Sequence, residues 1–298
     1  MILLKVSQQI KSTEASILNF YRFFIGLLKV IILSKYINRL PKAKNNSCII
    51  LGNGPSLVQT IEKYKDILYT ADLFCVNNFA TSKEFEEFKP TNMVLLDPGF
   101  FKFKTRKDIV DTFFVLKNRV NWELKLFIPY IFRNDKDIKE LKNSKYVKVV
   151  FYNYTLMKGI DRWIFPFYKW NLAMPQFYNV LGASVLVAIN SGYKKVYVVG
   201  ADHSWFDNIF VGEDNIVYRK DVHFYDANSE NIKFTPMIEP VSGTTVSMQG
   251  LFWALTAVFE SYSTLNRYAN YCDSKIYNAS EFSYIDSFER KSLIHYDS

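Results

Sequence analysis

Residues 47–57, SCIILGNGPSL, carry an apolar run straight into two glycines, an asparagine and a proline, and restart at Ser56. That order reads as a buried strand, a tight turn and a helix. Glycine lets a backbone approach another group with no Cβ in the way, and Ser56 can cap the next helix. The free N–H groups and dipole of such a helix favour an anion. The stretch lacks the third glycine of the GxGxxG fingerprint, but the physics is shared. Gly52, Asn53, Gly54 and Ser56 are therefore candidate contacts to an anionic ligand, Asn53 through a ribose, base or phosphate. The alternative is a strand-to-helix turn with no ligand.

Working outward, similar apolar runs recur: DLFCVNN (72–78), MVLLD (93–97), KLFIP (125–129), VKVVFY (147–152), KVYVVG (195–200) and KIYNA (275–279). They are short, near-continuously apolar, and end in small or turn-forming residues, as strands buried on both faces of a parallel sheet do. Helix-like pieces lie between them: SLVQTIEKYKDIL, DIKELKN, SVLVAINSGY and SMQGLFWALTAVFESYSTLNRY. The alternation predicts an α/β fold with a Rossmann-like, doubly wound, mostly parallel sheet. Ligands of such sheets bind beyond the carboxyl ends of the strands.

Those ends carry the remaining candidates. Asn77 and Asn78 offer fixed amide donors and acceptors, or a polar turn. Asp97 is a hydroxyl acceptor or the first residue of a turn. Gly182, Ala183 and Ser184 open a helix with small residues, and Gly192 caps its end. The densest constellation is VVGADHSWFD (198–207), with Asp202, His203, Ser204 and Trp205, followed by DVHFYD (221–226). Two of the three histidines fall in this window, and imidazole is the side chain best suited to move a proton near neutral pH. His223 is the first candidate base, and His203 the second, as a phosphate or ribose contact. Asp135 and Asp137 have the D-x-D spacing of a metal site, but their place before IKEL favours a helix cap.

The chain has 298 residues, with 49% apolar, 17% aromatic and 22% charged. That excludes a disordered chain and predicts one α/β domain with a small lid. AT-rich codon usage would also produce the aromatic excess. The net charge of +8 is spread rather than blocked, and no RNA-binding aromatic signature accompanies it, so nucleic acid is not an expected partner. Three widely spaced cysteines form no zinc motif or disulfide framework and imply a reducing compartment. No cleavable signal peptide is expected. Residues 17–40, ILNFYRFFIGLLKVIILSKYINRL, have no uncharged run longer than Phe23–Leu28, so the reading is an amphipathic helix that spans nothing. Arg22 and Lys29 share one face and aromatics fill the other, which suits an anionic membrane surface, a core helix or a homo-oligomer contact. The expected organisation is an N-terminal segment and linker over 1–46 and a catalytic domain over 47–298, with a lid at about 203–245.

IILGNGPSL, CVNNF and GYKKVYVVGADHSWF, with the closing KIYNASEFSYIDSF, are similar to bacterial family-42 sialyltransferases and to the related 6-hydroxymethylpterin diphosphokinase-like (MptE-like) superfamily. The resemblance covers roughly residues 47–290. It implies a GT-A-like variant of the Rossmann fold that works without metal, with a lid after the GxD strand and a lid histidine as base. Carried over by position, Asn53, Gly54 and Asn77 contact the nucleotide and Asp97 stands where the family has asparagine. Gly182 lies at the donor-binding helix start, Ser204 falls near a phosphate-binding tyrosine, and Tyr218 supplies a lid hydroxyl. His223 comes earlier after the strand than the family's base. The family's arginine and Ser/Thr before the small-residue helix are replaced by YNVLGAS.

The resulting expectation is a nucleotide-sugar-dependent glycosyltransferase, sialyltransferase-like, that builds a surface polysaccharide, lipopolysaccharide or lipid-linked saccharide. It would work by metal-independent direct displacement, with the nucleotide sugar as substrate and no cofactor, in the cytoplasm at the inner face of the membrane. The alternatives are an ATP-dependent pyrophosphokinase and a non-catalytic, membrane-associated assembly partner.

Overall fold

A computed structural model of the chain describes residues 2–37, 39–102, 104–177, 179–220, 224, 234–239 and 243–297, with backbone only for 2–13 and 15. Seven apolar runs become β1 (Ser47–Leu51), β2 (Leu73–Val76), β3 (Asn92–Val94), β4 (Leu124–Pro129), β5 (Val147–Tyr152), β6 (Lys195–Val199) and β10 (Lys275–Asn278). Together with β11 (Glu289–Arg290) they form one eight-stranded sheet in the order β11-β10-β6-β1-β2-β3-β4-β5. Every neighbouring pair is parallel. The chain winds from β1 to β5 in one direction and then returns to place β6 on the other side of β1. The order reverses there, between β1 and β6, and this is where a doubly wound sheet opens a crevice.

Alternation along each strand divides the interior into two cores. Cys48, Ile50, Phe74, Val94, Val196 and Val198 face one side, beneath α7 (Asp161–Lys169), α8 (Val180–Ser191) and α9 (Met248–Tyr271). Ile49, Leu51, Cys75, Met93, Leu126 and Val199 face the other, beneath α2 (Leu57–Thr70), α3 (Lys83–Phe88), α5 (Lys107–Asn118) and α6 (Lys136–Leu141). A short helix α4 (Gly99–Lys102) follows β3. Asp135 accepts from Asp137 N–H and Ile138 N–H and so caps α6, while Lys104 and Lys117 engage Asp135 and Asp137. The D-x-D pair is a helix start tied by ion pairs.

A second, antiparallel sheet of β7 (Ile209–Val211), β8 (Val217–Arg219) and β9 (Thr235–Pro236) occupies part of the expected lid. These strands are two or three residues long, too short for an apolar pattern to announce them in the sequence. His223, Tyr225 and Asp226 lie outside the described residues.

The N-terminal helix differs from expectation. α1 runs Ile2–Leu33, not 17–40. Beyond it Ser34 Oγ bonds Thr155 Oγ1 at 2.7 Å and the Leu172 carbonyl at 2.6 Å, which holds the chain in a non-helical course. One side of α1 docks on the domain: Val30 is buried, Phe23 meets Trp163 with ring centroids 5.2 Å apart, and a Cβ on Gly26 would lie 2.6 Å from Met157 Cγ. The other side exposes Ile17, Phe24, Leu28, Ile31 and Ile32. Ser16–Leu33 is long and apolar enough to cross a membrane by length and composition. The expectation that it could not was drawn from uncharged-run length. Only Arg22 and Lys29 interrupt this segment, and two cations do not remove its apolar character.

Candidate functional site

The loops at the switch point are built by mutual exclusion of side chains. Gly52 N–H donates to the Val199 carbonyl and Gly54 N–H to the Gly200 carbonyl, each at 2.8 Å. A Cβ on Gly54 would lie 1.8 Å from Asp202 Oδ2, and one on Gly52 would lie 2.5 Å from the Gly200 oxygen. These glycines let two strand ends touch. The Asp202 carboxylate then reaches the start of α2, where it accepts from Ser56 N–H at 3.1 Å and from Ser56 Oγ at 3.0 Å. Burial raises the Asp202 pKa, and the hydrogen bonds from Ser56 offset part of that rise.

This corrects the reading of 47–57. The anion at the α2 N-terminus is Asp202, held inside the chain. Leu57 N–H and Val58 N–H are also committed, to the Gly54 and Pro55 carbonyls. Gly52, Gly54 and Ser56 keep their places around the cleft or behind it, but their N–H groups are not open to a phosphate. In this structure the Asp202 carboxylate, a catalytic candidate by its place after β6, is engaged at the start of α2.

Above these loops lies a cleft of about 580 Å³. Asn53, Asn77, Asp97, Ser204, Asp202 and His203 line it, along with Gly52, Gly54 and Gly200. Most of the candidates from four strand ends, those of β1, β2, β3 and β6, therefore converge. Asn53 Nδ2 donates to the Val76 carbonyl at 3.3 Å, but its Oδ1 is buried without a donor, as is Asn77 Oδ1. Asn77 holds a left-handed φ of 46°, uncommon for a residue other than glycine. Asn78 turns instead to α5, giving Nδ2 to Asp108 and taking the Thr112 hydroxyl. Asp97 accepts from Gly99 N–H at 2.7 Å and sits exposed at the cleft's edge.

On the opposite wall Asn179 caps α8 by accepting from Gly182 N–H at 3.1 Å. Val180 and Leu181 line the cleft, and among the described residues nothing accepts from their N–H groups. Lys220 is the one cation among the described lining residues. This wall, rather than the α2 start, presents open donors and a positive helix end.

Three of the candidate contacts are not among the residues that line the cleft. Gly182 is a glycine because a Cβ there would lie 2.4 Å from the Phe177 ring. Ser184 is buried and its hydroxyl donates back to the Val180 carbonyl at 2.9 Å, as small hydroxyls inside helices do. Tyr218 lies on β8, stacked on Phe210, and gives its hydroxyl to Asp214 at 2.8 Å, away from the cleft lining.

His203 is buried at φ 56°, beside Trp205 at 4.3 Å between ring centres. Its Nε2 meets the Tyr262 hydroxyl, which also receives Asn179 Nδ2 at 2.8 Å. Burial pushes its pKa down to about 3, so the ring is neutral at ordinary pH. Asn179, Tyr262 and Lys220 escaped the sequence reading. Asn179 carried the one usable signal, an N-cap residue before an apolar helix, whereas Tyr262 is one aromatic among many on α9. The segment after β10 braces the site from behind, with Ser280 Oγ accepting from Ala201 N–H and the Ser283 hydroxyl donating to the Ala201 carbonyl.

A family model described as 6-hydroxymethylpterin diphosphokinase MptE-like matches residues 24–208, which include β1 to β6 and most of the cleft. No curated protein matches the chain. Among solved structures, the MAf glycosyltransferase from Magnetospirillum magneticum AMB-1 is similar at 13% identity with a TM-score of 0.48, covering 91% of this chain and 38% of that one. This chain thus spans well under half of that protein's length.

Proposed function

The chain belongs to the 6-hydroxymethylpterin diphosphokinase MptE-like family, and from that premise we propose that it is a nucleotide-sugar-dependent glycosyltransferase acting on a lipid-linked or surface saccharide. The observation that carries the reading is the two-sided polarity of the cleft. The β1–β2 wall holds two buried amide oxygens that lack donors, Asn53 Oδ1 and Asn77 Oδ1. The α8 wall holds open N–H groups, with Lys220 and Ser204 also lining the cleft. A nucleotide supplies what both walls lack: hydroxyls and base amines for the oxygens, and phosphate for the donors.

In direct displacement the acceptor hydroxyl oxygen bonds to the anomeric carbon, the bond from that carbon to the phosphate oxygen breaks, and the hydroxyl proton passes to a base. The nucleotide leaves with the electron pair, and the α8 N-terminus and Lys220 stabilise its charge. His223 is the proposed base. It lies outside the described residues, but the next residue, Phe224, donates its N–H to the Asn53 carbonyl at 3.0 Å. His223→Ala is expected to lower transfer about 10²–10⁴-fold with nucleotide affinity kept; transfer near wild type removes the assignment. The exposed apolar side of α1, flanked by Arg22 and Lys29, supports association with the inner face of a membrane, where lipid-linked acceptors are presented.

The family's description favours a second reading, transfer of diphosphate from ATP to an alcohol. That chemistry uses a divalent ion bridging the phosphates. The described residues fit such an ion poorly: of the two cleft carboxylates Asp202 caps α2, leaving Asp97 alone, and no cluster of three metal-ligating side chains occurs among the described residues. Titration of CMP, UDP, GDP and ATP with melting temperature as readout tests both readings. At a hundredfold excess over Kd a ligand adds about 2.7 kcal/mol, a rise of several degrees. Activity that survives EDTA supports glycosyl transfer, and loss with EDTA supports the alternative. No shift with any nucleotide overturns both in favour of an assembly role.

A further inference from the structure

Three polar contacts in the wall of the cleft have a fixed direction. Gly182 N–H can only donate, so the Asn179 atom it meets is Oδ1 and the other end of that amide is NH₂. Asn179 Nδ2 therefore donates to the Tyr262 hydroxyl oxygen. A phenol that accepts there keeps its own proton to give, and its other described partner is His203 Nε2. Nε2 accepts, and a neutral imidazole that accepts at Nε2 carries its proton on Nδ1. Nδ1 has no partner among the described residues and is not among the buried polar atoms left without one. His203 lines the cleft, so a donor at Nδ1 is placed to meet a ligand bound there. Trp205, Phe259 and Tyr262 surround the ring, and a left-handed backbone at a non-glycine residue sets its direction.

We propose that Asn179 and Tyr262 are positioning residues that hold His203 as a neutral Nδ1–H donor to a phosphate oxygen bound in the cleft. The inference rests on the nucleotide reading above and deepens it. It assigns His203 to the leaving phosphate: as the sugar–oxygen bond breaks, Nδ1–H strengthens its hydrogen bond to the departing oxygen and keeps its proton. The acceptor's proton goes to a different group. The relay starts at a helix cap, so the same asparagine that organises the open N–H groups of α8 also orients the imidazole.

The test uses the full chain labelled with ¹⁵N-histidine, whose three histidines are assigned with His223→Gln and His295→Gln. Long-range ¹H–¹⁵N correlation of the unliganded protein is expected to show His203 in the Nδ1–H tautomer. Asn179→Asp preserves the cap, since aspartate caps as well as asparagine. Its second oxygen must accept from Tyr262, which turns the phenol round so that it accepts from His203. The tautomer then switches to Nε2–H, and pyrophosphate affinity, measured by calorimetry, falls about tenfold or more. Tyr262→Phe is a second variant, expected to release the ring into a mixture of tautomers. An Nε2–H tautomer in the wild type, or no change in Asn179→Asp, overturns the relay even if nucleotides bind. The expected tautomers with no pyrophosphate binding in the wild type overturn the phosphate role and count against the nucleotide reading itself.

Discussion

At the scale of single residues, Gly54 and His203 carry the most consequence. Gly54→Ala would place a methyl group where Asp202 Oδ2 stands, against backbone that is itself hydrogen-bonded. The expected outcome is a loss of about 1–3 kcal/mol or failure to fold, read by urea melts; an unchanged stability with lost nucleotide binding would restore the phosphate role of this glycine. His203 ties stability to pH. Its pKa falls from the usual 6.5 to about 3 on folding, so between those values the unfolded chain binds more protons and stability drops as pH falls. The slope approaches about 1.4 kcal/mol per pH unit. Comparing wild type with His203→Asn between pH 7 and 5 isolates it, because both proteins keep Asp202, whose raised pKa works in the opposite sense. The wild type should lose more stability than the variant over that range. These roles were only partly legible. Residue types at strand ends announced Asn53, Asn77 and His203, but whether a glycine faces a ligand or another strand depends on what lies across the turn. The same holds for Asn77 and Asn78, adjacent in sequence, of which one faces the cleft and the other α5.

Elements follow the same division. Seven strands were readable because a strand buried on both faces has no polar side to interrupt its apolar run. β11 and the β7–β9 sheet escaped, being too short for periodicity to register. α7 escaped because Asp161–Lys169 holds Pro166 inside a helix. α1 was visible as an apolar helix but not in its bounds or its docking, since its apolar residues occur on both sides and only Met157, Trp163 and Thr155 decide which side is covered. A prediction belongs here. Replacing Phe24, Leu28 and Ile31 by serine should reduce flotation with anionic vesicles by about tenfold or more and leave the melting temperature nearly unchanged, because those side chains are exposed. A large fall in melting temperature would mean that this side is covered in the protein as it exists.

For the whole molecule, both cores share one sheet, and Val30 of α1 joins the same cluster as Ile50 and Val198. Calorimetric unfolding of the ligand-free chain should therefore show a single main transition, including the docked half of α1; a separate early transition lost on truncating α1 would show that the helix is an appendage. The sequence by itself determined the order of strands and helices, the doubly wound class and the strand ends from which a site could be drawn. Local periodicity and turn chemistry are enough for that, because each run of residues reports its own burial. Only the tertiary structure decided which of those ends meet, that Asp202 rather than a ligand fills the first helix N-terminus, and that Asn179 and Tyr262 orient His203. Those outcomes depend on distances between residues far apart in the chain, such as Ser56 and Asp202 or His203 and Tyr262, and no local pattern encodes them.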